Sequence, residues 1–182
     1  MTITYAKDFY EIPESLNGNF LLKSKVLDLV QREPIAGKVT IGGSRLTDFR
    51  EILLDFFSLK IDLNTAIVEI EKRLNRNQSM YSNDNRVFAN GWAERLVRTQ
   101  VSRFYNQAVL EIIIESGNDD CFVEHSVYEE VSSKCSQQLV GRTQSAKIML
   151  ERLKSSYGDG NWSNDLKIPE HPHCTHTFRP VI

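Results

Sequence analysis

The sequence has no stretch suited to a membrane. Its longest apolar runs, such as ILLDFFSLKI at 52–61, fall far short of the roughly 20 residues that span a bilayer. The N-terminal MTITYAKDFYEIPES has neither a basic n-region nor an apolar h-region, so no secretory signal is expected. Charge of one sign is also missing. Lys and Arg number 22, Asp and Glu 24, for a net charge of −2, and nothing in that balance demands nucleic acid or an anionic membrane as a bulk partner. Cysteine is scarce and odd in number: Cys121, Cys135 and Cys174. Without an export signal, such a set reads as reduced thiols or metal ligands rather than a disulfide framework. The glycines make no phosphate loop, because VTIGGSRL at 39–46 lacks both the Walker lysine and the dinucleotide spacing. Internal repeats and low-complexity tracts are absent as well.

What is present is helical first. The segment 91–117, GWAERLVRTQVSRFYNQAVLEIIIESG, has no internal Gly or Pro. At about 100° per residue, Ala93, Val97, Val101, Phe104, Tyr105, Ala108 and Ile112 share one sector. Arg95, Arg98, Thr99, Ser102, Arg103, Asn106 and Gln107 share the opposite one, with three Arg and no acid. That face is either solvated or meets a hydrogen-bonding partner. Gly117 is a natural left-handed stop. Upstream, 1–19 reads as irregular. Phe20–Gln31 is expected to be a helix with Leu21, Val26, Leu27 and Val30 inward, and KVTI at 38–41 suggests a short strand. Thr47 caps a helix to Leu59, with Phe49, Ile52, Leu53, Phe56 and Phe57 inward. Asp62 or Asn64 caps a third, with Leu63, Ile67, Ile70 and Leu74 at helical spacing. Residues 75–85 are polar and turn-rich, and the long helix is expected to start near Arg86 or Phe88. This divides the chain into a helical N-terminal region, 1–85, and the long helix plus a compact module, 86–182.

After Gly117 the pattern shifts. CFVEHSVY at 121–128 alternates as a strand does. SSKCSQQLVG, 132–141, is compact. Thr143–Tyr157 is amphipathic and expected to be a helix, with Ala146, Met149, Leu150 and Leu153 inward, and two prolines bracket a short final strand around THTF. The expected class is α+β, with short antiparallel strands following the helices. All four histidines and all three cysteines lie after residue 120. Neutral imidazole and thiolate are the usual ligands of Zn²⁺. Cys174 and His176, two apart, share one face of a strand, and Cys135, His125, His171 or His173 can join them. The same residues allow other uses: thiol catalysis by Cys135 with His125 or Cys174 with His171, or nuclease-type acid–base work by His125, His173 and Arg179.

Read in order, these motifs resemble the phage head morphogenesis family, the minor head proteins of tailed bacteriophages encoded beside the portal protein. The helix contributes Arg98, Thr99, Asn106 and Gln107. The middle segment contributes Ser132, Cys135, Leu139 and Gly141, and the tail His171, Pro172, Cys174, His176, Pro180 and Val181. Gln100 stands where the family has Glu, Ser132 where it has a first cysteine, and His176 where the tail has its second. The resemblance covers about 45–182 and is carried by 98–107 and 171–181. It implies a structural virion protein with no catalytic mechanism, placed in the head interior or at the portal vertex after assembly in the host cytoplasm. Its implied partners are the portal and major capsid proteins, with phage DNA a further candidate, and neither membrane nor small-molecule substrate. It also implies a structural zinc held by Cys135, Cys174 and His176, with the missing ligand from His125, Cys121 or His171; His125 completes the expected set. Arg98, Thr99 and Asn106 would then form an internal seam facing the C-terminal module.

Overall fold

In a computed structural model, residues 4–181 are described; the first three residues of the segment expected to be irregular lie outside them. The fold is α+β. Seven α-helices precede or interleave a three-stranded antiparallel sheet: α1 (Ile12–Gly18), α2 (Phe20–Arg32), α3 (Arg45–Phe57), α4 (Leu63–Arg73), α5 (Trp92–Glu115), α6 (Lys134–Leu139) and α7 (Ala146–Leu153). The strands are β1 (Asp120–Val123), β2 (Thr143–Ser145) and β3 (Phe178–Pro180), with β1 in the middle. No helix among the described residues is long and apolar enough to cross a membrane.

Local chemistry explains most boundaries. Asn19 caps α2 by accepting from the Leu22 N–H, and Asp62 caps α4 by accepting from that of Thr65. Pro13 sits in the first turn of α1, where its missing N–H would have had no helical partner. That is why a helix forms in a stretch expected to be irregular. KVTI forms a 3₁₀ turn rather than a strand. Helix α3 starts at Arg45 rather than at a Thr47 cap, and all five of its expected inward residues are buried. In α2 the buried set is Leu22, Val26, Leu29 and Val30; Leu21 faces out. The long helix begins at Trp92, after Gly91 at φ +74°. In that left-handed region a side chain would be strained.

Helix α5 is the axis of the molecule. It packs against α2 and α4 on one side and against α7 and β3 on the other. One continuous hydrophobic core runs through both halves of the chain. Sixteen of its 24 residues are buried, Arg98, Arg103 and Asn106 among them. Every residue from Gln100 to Leu110 is buried, so the polar residues of that stretch must find partners inside. Arg103 shows what that requires. Its guanidinium is fully buried, donates to the Pro34 carbonyl at 2.9 Å and lies 4.1 Å from the centre of the Phe104 ring. Nε and Nη2 have no hydrogen-bond partner. Burial draws its pKa down to about 10, partly offset by Glu33.

Candidate metal centre

Three elements bring the donors together. Ser133 accepts from the Ser136 N–H and caps α6, which sets Cys135 in the first turn. The turn His171–Cys174, closed by Cys174 N–H to the His171 carbonyl at 3.0 Å, directs the tail back over α6. Cys174 and His176 then lie on the extended run into β3. Two apart on such a run, they share one face. The N-terminal segment covers this run. Asp8 bridges His176, the Phe9 N–H donates to the Thr175 carbonyl at 2.8 Å, and Thr177 Oγ1 donates to that of Ala6 at 2.8 Å.

The centre consists of Glu129, Cys135, Cys174 and His176, whose ligand atoms all lie within 4.8 Å of one another. The two sulfurs are 4.0 Å apart, and Cys174 Sγ is 3.8 Å from His176 Nδ1. A tetrahedral ion with metal–sulfur bonds of about 2.3 Å holds two thiolates roughly 3.8 Å apart, so these donors fit such an ion with minimal movement. Cys135 and His176 are fully buried and Cys174 is 1% exposed. Glu129 is held in place by Thr175, whose N–H and hydroxyl donate to Oε2 at 2.9 and 3.2 Å.

The Cys174 thiol donates to Cys135, and this hydrogen bond, with help from His171 and His176, holds Cys135 well below the usual thiol range. The same hydrogen bond, with burial, pushes Cys174 up. One thiolate and one thiol thus share the pocket, and a metal would displace the remaining proton. His171 is raised, first by its hydrogen bond to Cys135 and then by the charge of Glu129. A raised histidine adds stability that is complete below its unfolded pKa and is lost as pH rises through its folded one. For the metal-free chain, thermal melts of the wild type and of His171→Ala should therefore differ most on the acid side of neutrality and converge as pH rises. A constant difference would mean that folding does not raise the His171 pKa.

Of the four expected ligands, the structure brings Cys135, Cys174 and His176 together. His125 is elsewhere, exposed in a shallow depression lined by Lys7, Asp8, Tyr10 and Tyr128. Beta strand β1 ends at Val123, so the chain has left the sheet before His125 and no register ties it to the tail. Glu129 occupies the fourth place. A search by Cys and His alone misses it, and the sequence YEEV carries no spacing signal. Cys121 is buried in β1, its pKa pushed up to about 12 by burial, and its sulfur donates to the Gln144 carbonyl. The nuclease trio is dispersed. Arg179 pairs with Glu124 beside a cleft lined by Phe122 and Pro180, His125 lies in a different depression, and His173 is exposed.

The seam residues diverge. Asn106 meets the C-terminal module, accepting the Phe178 N–H at 2.7 Å. Arg98 instead packs on the N-terminal segment. Its guanidinium lies 4.6 Å from the Phe9 ring and 5.5 Å from that of Tyr10, whose hydroxyl accepts from Nη1 at 3.2 Å. Thr99 is half-buried at a cleft lined by Trp92, Arg95 and Tyr157. At 100° per residue a sector spans several neighbours, and each meets a different element. Tyr10 is half exposed, so its hydroxyl can turn to water when Arg98 is removed. Arg98→Ala should therefore cost about 1–2 kcal/mol, through lost stacking and packing rather than an orphaned acceptor. Urea unfolding measures this, and a change near zero would show that the N-terminal segment does not depend on the stack.

No protein-family model, curated protein or solved structure matches the chain.

Proposed function

We propose that the chain is a structural virion protein of a tailed bacteriophage: a minor head protein seated near the portal, acting in head assembly or in DNA packaging and ejection. Its C-terminal half is closed by a structural zinc ion on Cys135, Cys174, His176 and Glu129. The observation that carries this reading is the convergence of the motif residues. The middle cysteine and both tail ligands meet in one buried cluster, and the helix asparagine holds the first residue of the strand that follows them.

Two features favour a staple over a reaction centre. Four protein donors account for a tetrahedron, as at structural zinc sites, with no position reserved for substrate. The three sulfur and imidazole donors are also almost wholly removed from solvent. Zinc is the ion best suited to two thiolates and an imidazole in a reducing compartment. When bound, it would cross-link α6 to the tail, and its binding free energy would become folding free energy.

The test is co-expression with the portal protein and with the major capsid protein, followed by affinity capture and metal analysis. The reading requires stoichiometric zinc and retention of the portal or the capsid protein. Capture of neither removes the head-protein assignment, and absence of zinc removes the staple.

A further inference from the structure

Five donor groups crowd a centre that needs four. His171 Nε2 lies 2.9 Å from Glu129 Oε1 and 3.8 Å from Cys135 Sγ, so it touches two of the four inner donors from outside their cluster. It also has the solvent access the others lack. Its side chain is 39% exposed, against 7% for Glu129, and Cys135, Cys174 and His176 are closed off.

The other sides of the centre are covered. The N-terminal segment bridges His176 at Asp8, and Ser136 Oγ sits 3.4 Å from His176 Nε2. The backbone around His171 is pinned at several points. The Pro169 carbonyl accepts from the Tyr157 hydroxyl at 2.5 Å, Lys134 Nζ pairs with Glu170 at 3.1 Å, and the His171 carbonyl closes the turn to Cys174.

We infer that His171 is the port ligand of this centre: it takes an incoming hydrated divalent cation at the solvent side and passes it to the inner donors. The inference rests on the metal centre proposed above. A hydrated ion enters a buried thiolate site only by exchanging waters for protein ligands in steps. An imidazole at the rim, in contact with both Glu129 and Cys135, would release its Nε2 proton to solvent and replace the first waters before the ion is enclosed. Once the ion had passed inward, it would take a proton back from solvent and restore its hydrogen bond with Glu129. A group used this way alters the path into the site and leaves the end states nearly unchanged.

The experiment uses the full chain stripped of metal by a chelator. Zn²⁺ uptake is followed by stopped flow against a zinc indicator, release into excess chelator is timed, and equilibrium affinity is measured separately. His171→Ala should slow both uptake and release by a similar factor, while affinity changes much less than either rate. His173→Ala, removing an exposed histidine two residues away, should match the wild type. His171→Asn is read in the same way if the alanine variant does not fold by circular dichroism. Wild-type rates in the His171 variants overturn the port alone, as does an affinity loss equal to the fall in uptake, which would make His171 an ordinary ligand. A wild-type chain that takes up no zinc overturns the port and the metal centre together.

Discussion

Cys174→Ser is expected to empty the centre of metal and to lower the melting temperature by about 10 °C or more. Serine keeps the shape but not the ligand, because its hydroxyl stays protonated at neutral pH and binds zinc far more weakly than a thiolate. The substitution also strips Cys135 of the thiol that donates to it, leaving a buried sulfur with its remaining partners His171, His176 and Ser133. Loss of a structural metal belongs with the largest single-residue effects, about 4–5 kcal/mol. For a chain of this size each kcal/mol moves the midpoint by roughly 2–4 °C. Chelator treatment of the wild type should produce a similar shift, and the variant should not respond to chelator at all. If the wild type melts at the same temperature with and without chelator, no metal contributes to its stability.

The second large effect is expected at Asn106. Its side chain is fully buried and uses both ends: Oδ1 accepts the Phe178 N–H at 2.7 Å, and Nδ2 donates to the Ser102 carbonyl at 2.8 Å. Phe178 is where β3 joins β1, opposite Val123. Asn106→Leu keeps the volume but orphans that N–H, so it should cost about 1–3 kcal/mol. Asn106→Ala adds a cavity and should cost about 2–4 kcal/mol. Hydrogen exchange gives the sharper readout. The Phe178 amide should lose protection in both variants, while amides in α3 and α4 keep theirs until global unfolding. Unchanged protection at Phe178 would mean the sheet, rather than the long helix, holds the strand in place.

Much of this molecule is legible locally. Apolar spacing marks α3 and α5, Asn19 and Asp62 mark the starts of α2 and α4, and Gly117 at φ +81° ends the long helix as its position suggests. Each depends on contacts within a few residues, which a linear reading can see. The misreadings share a different cause. Leu21 and Leu22 are chemically alike, and which one turns inward depends on where α1 and α5 lie. KVTI has strand-forming residues but no neighbouring strand to pair with.

By itself the sequence determined α2 to α5, the α+β class and the chemical types available for a centre, because periodicity, capping and residue identity are local properties. It also placed Cys135, Cys174 and His176 among the candidates. Only the tertiary structure decided that Glu129 joins them and His125 does not, that His171 is the most exposed of the groups around the centre, and that Arg98 stacks on Phe9 while Asn106 holds Phe178. These pairings join residues far apart in the chain: Glu129 meets Thr175 across 46 positions and Arg98 meets Tyr10 across 88. No spacing rule reaches that far, and only the folded chain brings such partners together.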